Sequence, residues 1–410
     1  MPARLITIDA PSTALAAGGP VTYLLTYADT SLSAISLAAG NVTLNRTGTA
    51  NGTVDVSGSG LTRTVSISGI AGDGTIGISI AAGTAADWAG NSAPAAASST
   101  FSVDNNAPTA SIGAPSSAIT KAGPVSFTVT FADANFNAST LDAGDITLNT
   151  TGTATGSLSI TGSGTTRTVT VTALTGNGTV GISLAAGTAD DLVGNPASAA
   201  GPSATFIVDN AAPTVSIGAP SASITTVGPV TFSVTYADAN FSSSALTSAS
   251  ISLNATETAN ATVGVTGSGA NYTVTLSDIT GSGTLGFSLT SGTATDLAGN
   301  SAPAAVSAAF TVDNSIPIVT LSAPSTLATQ SGPVTYLVTY PGVNFISSTL
   351  SPADVTLNKT GSANGSVSVS GSGNTRSVSI SGITGNGSLG ISLAAGTAGY
   401  LAGNLAPAAG

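Results

Sequence analysis

The 410-residue chain contains neither cysteine nor histidine. Without cysteine there is no disulfide, no thiolate ligand and no sulfur nucleophile; without histidine there is no imidazole ligand and no imidazole base. Most hydrolytic chemistry is excluded with them. Charge is also scarce, at 6% of residues, with 18 acidic against 7 basic side chains and a net charge of -11. So acidic a chain is a poor partner for nucleic acid, and cations are its natural counterparts. No apolar run approaches the roughly 18 residues of a membrane span, so no membrane insertion is expected in this segment. Met1-Pro2-Ala3-Arg4-Leu5 is not followed by an apolar stretch and cleavage site. No signal peptide is read there, and the expectation is a piece of a longer, exported protein, for which a lack of cysteine is suitable.

What is abundant is Ala, Ser, Thr, Val and Asn, with 50 Gly and 19 Pro. Gly and Pro at this density break helices and close turns, and the β-branched residues suit short strands, so the chain reads as all-β. Gly-Pro recurs at Pro20, Pro124, Pro229 and Pro333, and Gly-Asn at Asn91, Asn195, Asn300 and Asn404. Both markers step by about 104 residues, the size of a whole domain and not of a solenoid turn. Four repeats follow, bounded at 1–104, 105–209, 210–313 and 314–410.

After each Gly-Pro comes strict alternation. Val21, Tyr23, Leu25 and Tyr27 are matched by Val125, Phe127, Val129 and Phe131, by Val230, Phe232, Val234 and Tyr236, and by Val334, Tyr336, Val338 and Tyr340. The intervening residues are mostly Ser and Thr, so each run predicts a strand with one buried face. In repeat 2 this strand is one of seven, the others falling near 110–112, 146–149, 157–160, 167–173, 179–185 and 205–208. Turn-rich segments such as Thr161-Gly162-Ser163-Gly164 separate them, and seven short strands predict two packed antiparallel sheets.

Three short motifs recur in register. They are the Gly-Pro-Val strand, the Asp-x-x-Gly-Asn loop (Asp87 to Asn91, Asp191 to Asn195, Asp296 to Asn300) and the Val-Asp-Asn linker at Val103, Val208 and Val312. In these the chain resembles the bacterial immunoglobulin-like repeats of large cell-surface adhesins and biofilm proteins. The resemblance covers all four repeats and implies four tandem immunoglobulin-like β-sandwiches in a rod, outside the cell. At roughly 3.3 Å per residue each domain would be about 30 Å long, and four would exceed about 120 Å. The resemblance also implies an extracellular stalk or adhesive array, often stiffened by calcium.

Three Asp positions recur. One follows the Gly-Pro strand (Asp29, Asp133, Asp238), one sits in the Gly-Asn loop (Asp87, Asp191, Asp296) and one in the linker (Asp104, Asp209, Asp313). If the strands alternate in direction, both loops lie at the pole where the linker enters. Asp104 should then meet Asp133 and Asp191, and Asp209 should meet Asp238 and Asp296, each helped by Asn105 or Asn210. Oxygen-only sets of this kind suit calcium, which takes six to eight hard ligands. The competing reading is that each Asp caps its own turn. Repeat 4 replaces the two loop acids with Gly342 and Tyr400, so its junction is expected to hold no ion and to leave Asp313 facing no partner.

No acid pair or nucleophile is set apart in one repeat, so catalysis is not expected. The leading reading is a structural stalk or fibre segment. The alternative is an adhesive module whose exposed Thr and Asn faces meet glycan, ice or a host surface. Trp88 stands where other repeats have Leu192 and Leu297 and is expected to pack beneath its loop. The register places Gly410 opposite Val306, before the position of Phe310, so repeat 4 should lack its seventh strand. Either the chain continues, or a neighbouring copy supplies a strand, Leu5-Ile6-Thr7-Ile8-Asp9 being a candidate donor.

Overall fold

The computed structural model describes residues 5–410; Met1-Pro2-Ala3-Arg4, where no leader was read, lies outside the described residues. The chain divides into two compact units, Met1–Asn210 and Ala211–Gly410. The described residues form β-strands joined by turns, with single-turn 3-10 segments such as Ala143–Asp145. No helix among them is long and apolar enough to cross a membrane.

Repeat 2 shows the plan. One sheet runs in the order Thr109–Ile112, Val125–Ala132, Thr166–Thr175, Thr155–Ser163, and the facing sheet in the order Ile119–Thr120, Phe206–Val208, Gly178–Leu184, Ile146–Thr150. Neighbours are antiparallel except at Ile119–Thr120, which lies parallel to Phe206–Val208. This is an immunoglobulin-like sandwich. The seven strands read from the sequence are present, along with three short ones that the alternation does not announce: Ile119–Thr120, Phe136–Ser139 and Ala189–Asp191. Two to four residues are too few for a period of two to register.

The alternating face forms the core. Val125, Phe127, Val129 and Phe131 are buried together with Val169, Val171, Val180, Ile182 and Phe206, and full burial of each such side chain is worth about 1.5–3 kcal/mol. Phe127 and Phe206 bring their rings to 6.1 Å across the two sheets, within the range of a favourable tilted pair. Gly176 is required by the tight turn that carries the chain from one sheet to the other: its φ is +75, and a β-carbon there would lie 2.0 Å from the Thr153 carbonyl oxygen.

The other repeats keep the plan, each with its own core. Leu5–Ile8 opens repeat 1 by pairing with Val21–Ala28. Repeats 1 and 3 close their second sheets with Phe101–Val103 and Phe310–Val312. In repeat 4 the second sheet consists of Val355–Lys359 and Leu389–Leu393, and no described segment takes the closing position.

Candidate metal centre

The closing strand of repeat 1 carries the linker acid into repeat 2. Asp104 donates its backbone N–H to the Ala16 carbonyl at 3.0 Å, continuing the parallel pairing of Val103 with Ala16. Its side chain belongs to the next sandwich. Asp133 lies just past the strand Val125–Ala132, and Asp191 ends the strand Ala189–Asp191, which is registered against Phe136–Ser139. A backbone bond from Leu192 N–H to the Asn135 carbonyl, 2.8 Å, ties the two acid-bearing loops together.

The three carboxylates converge. Asp104, Asp133 and Asp191 each place one oxygen within 4.8 Å of the others, and Asp104 and Asp191 are buried. The cluster is held in place by amides. Asn135 Nδ2 donates to Asp104 Oδ2 at 2.5 Å and its backbone N–H donates to Asp133 Oδ1 at 2.7 Å. Asn195 donates to both Asp191 oxygens, at 2.8 and 2.7 Å, and its Nδ2 also reaches the Asp104 carbonyl at 3.1 Å. Burial pushes the Asp191 carboxyl up, but N–H donors from Asn195, Val193 and Gly194 outweigh it and hold the group below its ordinary range. Three ionised carboxylates at this separation repel one another, and a divalent cation with a preference for oxygen would offset that repulsion. The donor set therefore fits calcium.

In unit 2, Asp238 and Asp296 reproduce the loop pair, with carboxylate oxygens within 4.8 Å. Asn240 and Asn300 serve them as Asn135 and Asn195 serve repeat 2. Asp209 is buried at the end of unit 1, its N–H bonded to the Thr120 carbonyl at 2.9 Å. In repeat 1, Asp29 accepts from the Ser31 amide and hydroxyl at 2.7 Å each, and Asp87 accepts from the Asn91 N–H and Nδ2 at 2.8 Å each.

The geometry corrects three expectations. Asn105 and Asn210 fold back onto the turn that joins the two sheets of the preceding repeat. Asn105 N–H donates to Asp73 Oδ1 and its Nδ2 to the Gly72 carbonyl, and Asn210 does the same to Asn177 and Gly176. The amides that do serve the acids are Asn135 and Asn195. The signal for the first was an Asn two residues after the loop acid, present in Asp133-Ala134-Asn135 and Asp238-Ala239-Asn240.

Asp313 has partners: Asn344 Nδ2 donates to its carboxylate at 3.0 Å, Ser315 N–H at 3.1 Å, and Asn404 Nδ2 reaches its carbonyl at 2.6 Å. Burial raises this carboxyl, and the donors from Asn344 and Ser315 bring it below its ordinary range. The amide clamp is thus independent of the loop acids. Trp88, finally, is 82% exposed. The strand Ala85–Asp87 buries its first and third residues, so the next side chain points outward.

No protein-family model and no curated protein matches the chain. Among solved structures it is similar to the Escherichia coli adhesin FdeC, at 17% identity over 74% of this chain and 96% of that one, with a TM-score of 0.29. It is also similar to domains 1-6 of the surface layer protein SbsC, at 16% identity over 95% of this chain and 52% of that one, TM-score 0.25. The third is the first eight Ig domains of Down Syndrome Cell Adhesion Molecule, at 11% identity over 95% of this chain and 54% of that one, TM-score 0.20. The chain thus spans about half the length of the last two, and at these scores the likenesses transfer no role to it.

Proposed function

We propose that the chain is a structural stalk or fibre segment of an extracellular bacterial surface protein, stiffened by calcium where repeat 1 meets repeat 2. The observation that carries the reading is the convergence of Asp104, from the end of one sandwich, with Asp133 and Asp191, from two loops of the next. An ion held by all three joins the linker to both loops and removes the hinge freedom that a short linker otherwise keeps. Across a short linker, that constraint converts a flexible string into a stiff element. The scarcity of charge, the absence of cysteine and the near-constant repeat length suit a role in which domains set distance and carry no chemistry of their own.

The chain's own residues supply the parts. Asp104, Asp133 and Asp191 provide the anionic oxygens, and Asn135 and Asn195 orient all three, Asn135 by donating to Asp104 and Asp133 and Asn195 by donating to Asp191. Bound calcium would supply the positive charge that offsets the repulsion among the three acids. Calorimetric titration of chelator-treated protein tests this: Asp133→Ala should lose one calcium site relative to wild type. Unchanged stoichiometry and affinity in Asp133→Ala would reduce these acids to turn caps. Small-angle scattering of unit 1 within the whole chain, with and without chelator, should show a longer maximum dimension when calcium is present.

A further inference from the structure

Where repeat 3 meets repeat 4, within unit 2, the structure has an open cleft of about 500 Å³, with Glu257, Asp313, Ile316, Ile318, Val343 and Tyr400 in its lining. Of these, only Asp313 keeps to the repeat. Ile316 stands at the position of Ala107 and Ala212, Ile318 at that of Thr109 and Thr214, and Val343 at that of Ala134 and Ala239. Tyr400 and Gly342 replace the two loop acids. Departures spread over more than a hundred residues of sequence therefore meet in one place.

Glu257 is the least expected of them. It is the only Glu in the chain, and repeats 1, 2 and 4 have Gly48, Gly152 and Gly361 at its position, with φ of +61, +60 and +59. A β-carbon on those glycines would lie 2.3, 2.4 and 2.4 Å from the carbonyl oxygens of Asp73, Asn177 and Asn386. Glu257 nevertheless keeps a φ of +52, which side chains disfavour. The backbone bond beside it is the longest of four: Thr258 N–H reaches the Ser282 carbonyl at 3.1 Å, whereas Thr49, Thr153 and Ser362 make the matching bond at 2.8, 2.8 and 2.9 Å. Stability alone would place glycine here, so it does not account for the carboxylate. That carboxylate is exposed, and none of the described residues donates a hydrogen bond to it.

The lining joins charge to bare aliphatic surface. Glu257 and Asp313 are acids, and no Lys or Arg is among the described residues that line the cleft. Beside them Ile316 and Ile318 are 78% and 64% exposed and Val343 is fully exposed. Calcium matches this poorly, because it takes six to eight oxygen ligands and half of this lining is branched hydrocarbon. A cation carried on an aliphatic stem matches both parts: the stem covers apolar surface while the charged head stays with the acids.

We propose that this cleft binds an alkylammonium group, its charge held by Glu257 and Asp313 and its stem laid on Ile316, Ile318 and Val343. The net charge of -11 draws such cations toward the chain. Gly342 and Tyr400 fit the same assignment, because they remove the two acids that would draw a divalent ion into the cleft.

The probe is n-pentylammonium, titrated into the whole chain in the presence of chelator, with the isoleucine methyls labelled for NMR. The outcome is then independent of calcium at the junction of repeats 1 and 2. The methyls of Ile316 and Ile318 should shift to saturation with a single site. n-Pentanol, the same stem without the charge, should bind at least about tenfold more weakly, and so should n-pentylammonium to Glu257→Gly. That variant restores the residue of the other repeats and should melt no lower than wild type, so its loss of binding is not a loss of fold. A capped Gly-Lys-Gly peptide separates two sources of the same group: tighter binding than the amine supports a lysine of another polypeptide, and weaker binding supports a free amine. Equal binding of n-pentanol, unchanged affinity in Glu257→Gly, or no saturable shift at tens of millimolar amine would each overturn the proposal. So would saturating calcium, added without chelator, that moves the same methyls, by making the cleft a metal site.

Discussion

Gly342 and Tyr400 are two halves of one packing exchange. A β-carbon on Gly342 would lie 3.1 Å from Cε1 of Tyr400, and the Gly342 backbone sits at φ +137. The Tyr400 ring packs edge-on to Phe345 with centroids 5.9 Å apart, and its hydroxyl donates to the Pro341 carbonyl at 3.1 Å. Burial pushes its phenol up, with Tyr340 nearby adding to the effect. Where repeats 2 and 3 place two acids, repeat 4 places a large ring and the small residue that makes room for it. The linker acid meanwhile keeps its Asn344 clamp.

Gly342→Ala should destabilise repeat 4 by about 1–2 kcal/mol, because a side chain is disfavoured at positive φ and would also press on the Tyr400 ring. Removing the ring relieves only the second part. In chemical denaturation, Gly342→Ala in a Tyr400→Ala background should therefore cost measurably less than in wild type. Equal costs in the two backgrounds would show that the residues are not coupled.

Replacing both residues, Gly342→Asp with Tyr400→Asp, should create a calcium site with Asp313, whose position is already held by Asn344 and Asn404. Calorimetry should count one more calcium per chain in the double variant and none more in either single variant. A double variant that folds but binds no additional calcium would mean that Asp313 is not placed to act as the third ligand.

Repeat 2 has one buried hydroxyl that its sister repeats satisfy. Tyr27, Tyr236 and Tyr340 donate to Thr84, Thr293 and Thr397 at 3.1, 2.8 and 2.9 Å. Repeat 2 has Phe131 in that position, and the buried Thr188 Oγ1 has no hydrogen-bond partner. Phe131→Tyr should stabilise the repeat by about 1 kcal/mol, the net worth of a buried hydrogen bond. A raised melting temperature checks this; a lowered one would show that the core has no room for the added oxygen.

Acid should weaken repeat 2 in a defined range. The Asp191 carboxyl is held below its ordinary value in the folded chain, so its contribution to stability is fully present above the unfolded carboxyl pKa of about 3.9 and is lost as pH falls through the lower folded value. In chelator, urea midpoints should be flat from about pH 7 to pH 5 and fall below about pH 4. Asp191→Asn should reduce that fall while lowering stability at neutral pH. An acid limb unchanged in the variant would assign the loss to other carboxyls.

The sequence by itself determined the repeat, the all-β class and the principal buried faces. Val125, Phe127, Val129 and Phe131 alternate with small polar residues, and an extended chain sends successive side chains to opposite faces whatever lies around it. The recurrence of Asp104, Asp133 and Asp191 in register was legible for the same reason: repetition makes a position stand out before its neighbours are known. Only the tertiary structure decided what those positions touch. Asp104 and Asp191 are 87 residues apart in sequence, and they meet because sheet pairing brings one sandwich's exit onto the next sandwich's loops. Asn105 lies beside Asp104 in sequence yet turns to Gly72, and Trp88 lies beside a buried acid yet faces solvent. Adjacent residues in extended chain point opposite ways, so nearness in sequence does not give a shared contact. The fit of Tyr400 against Gly342 is a matter of one ring's volume in one loop, which no periodic pattern encodes.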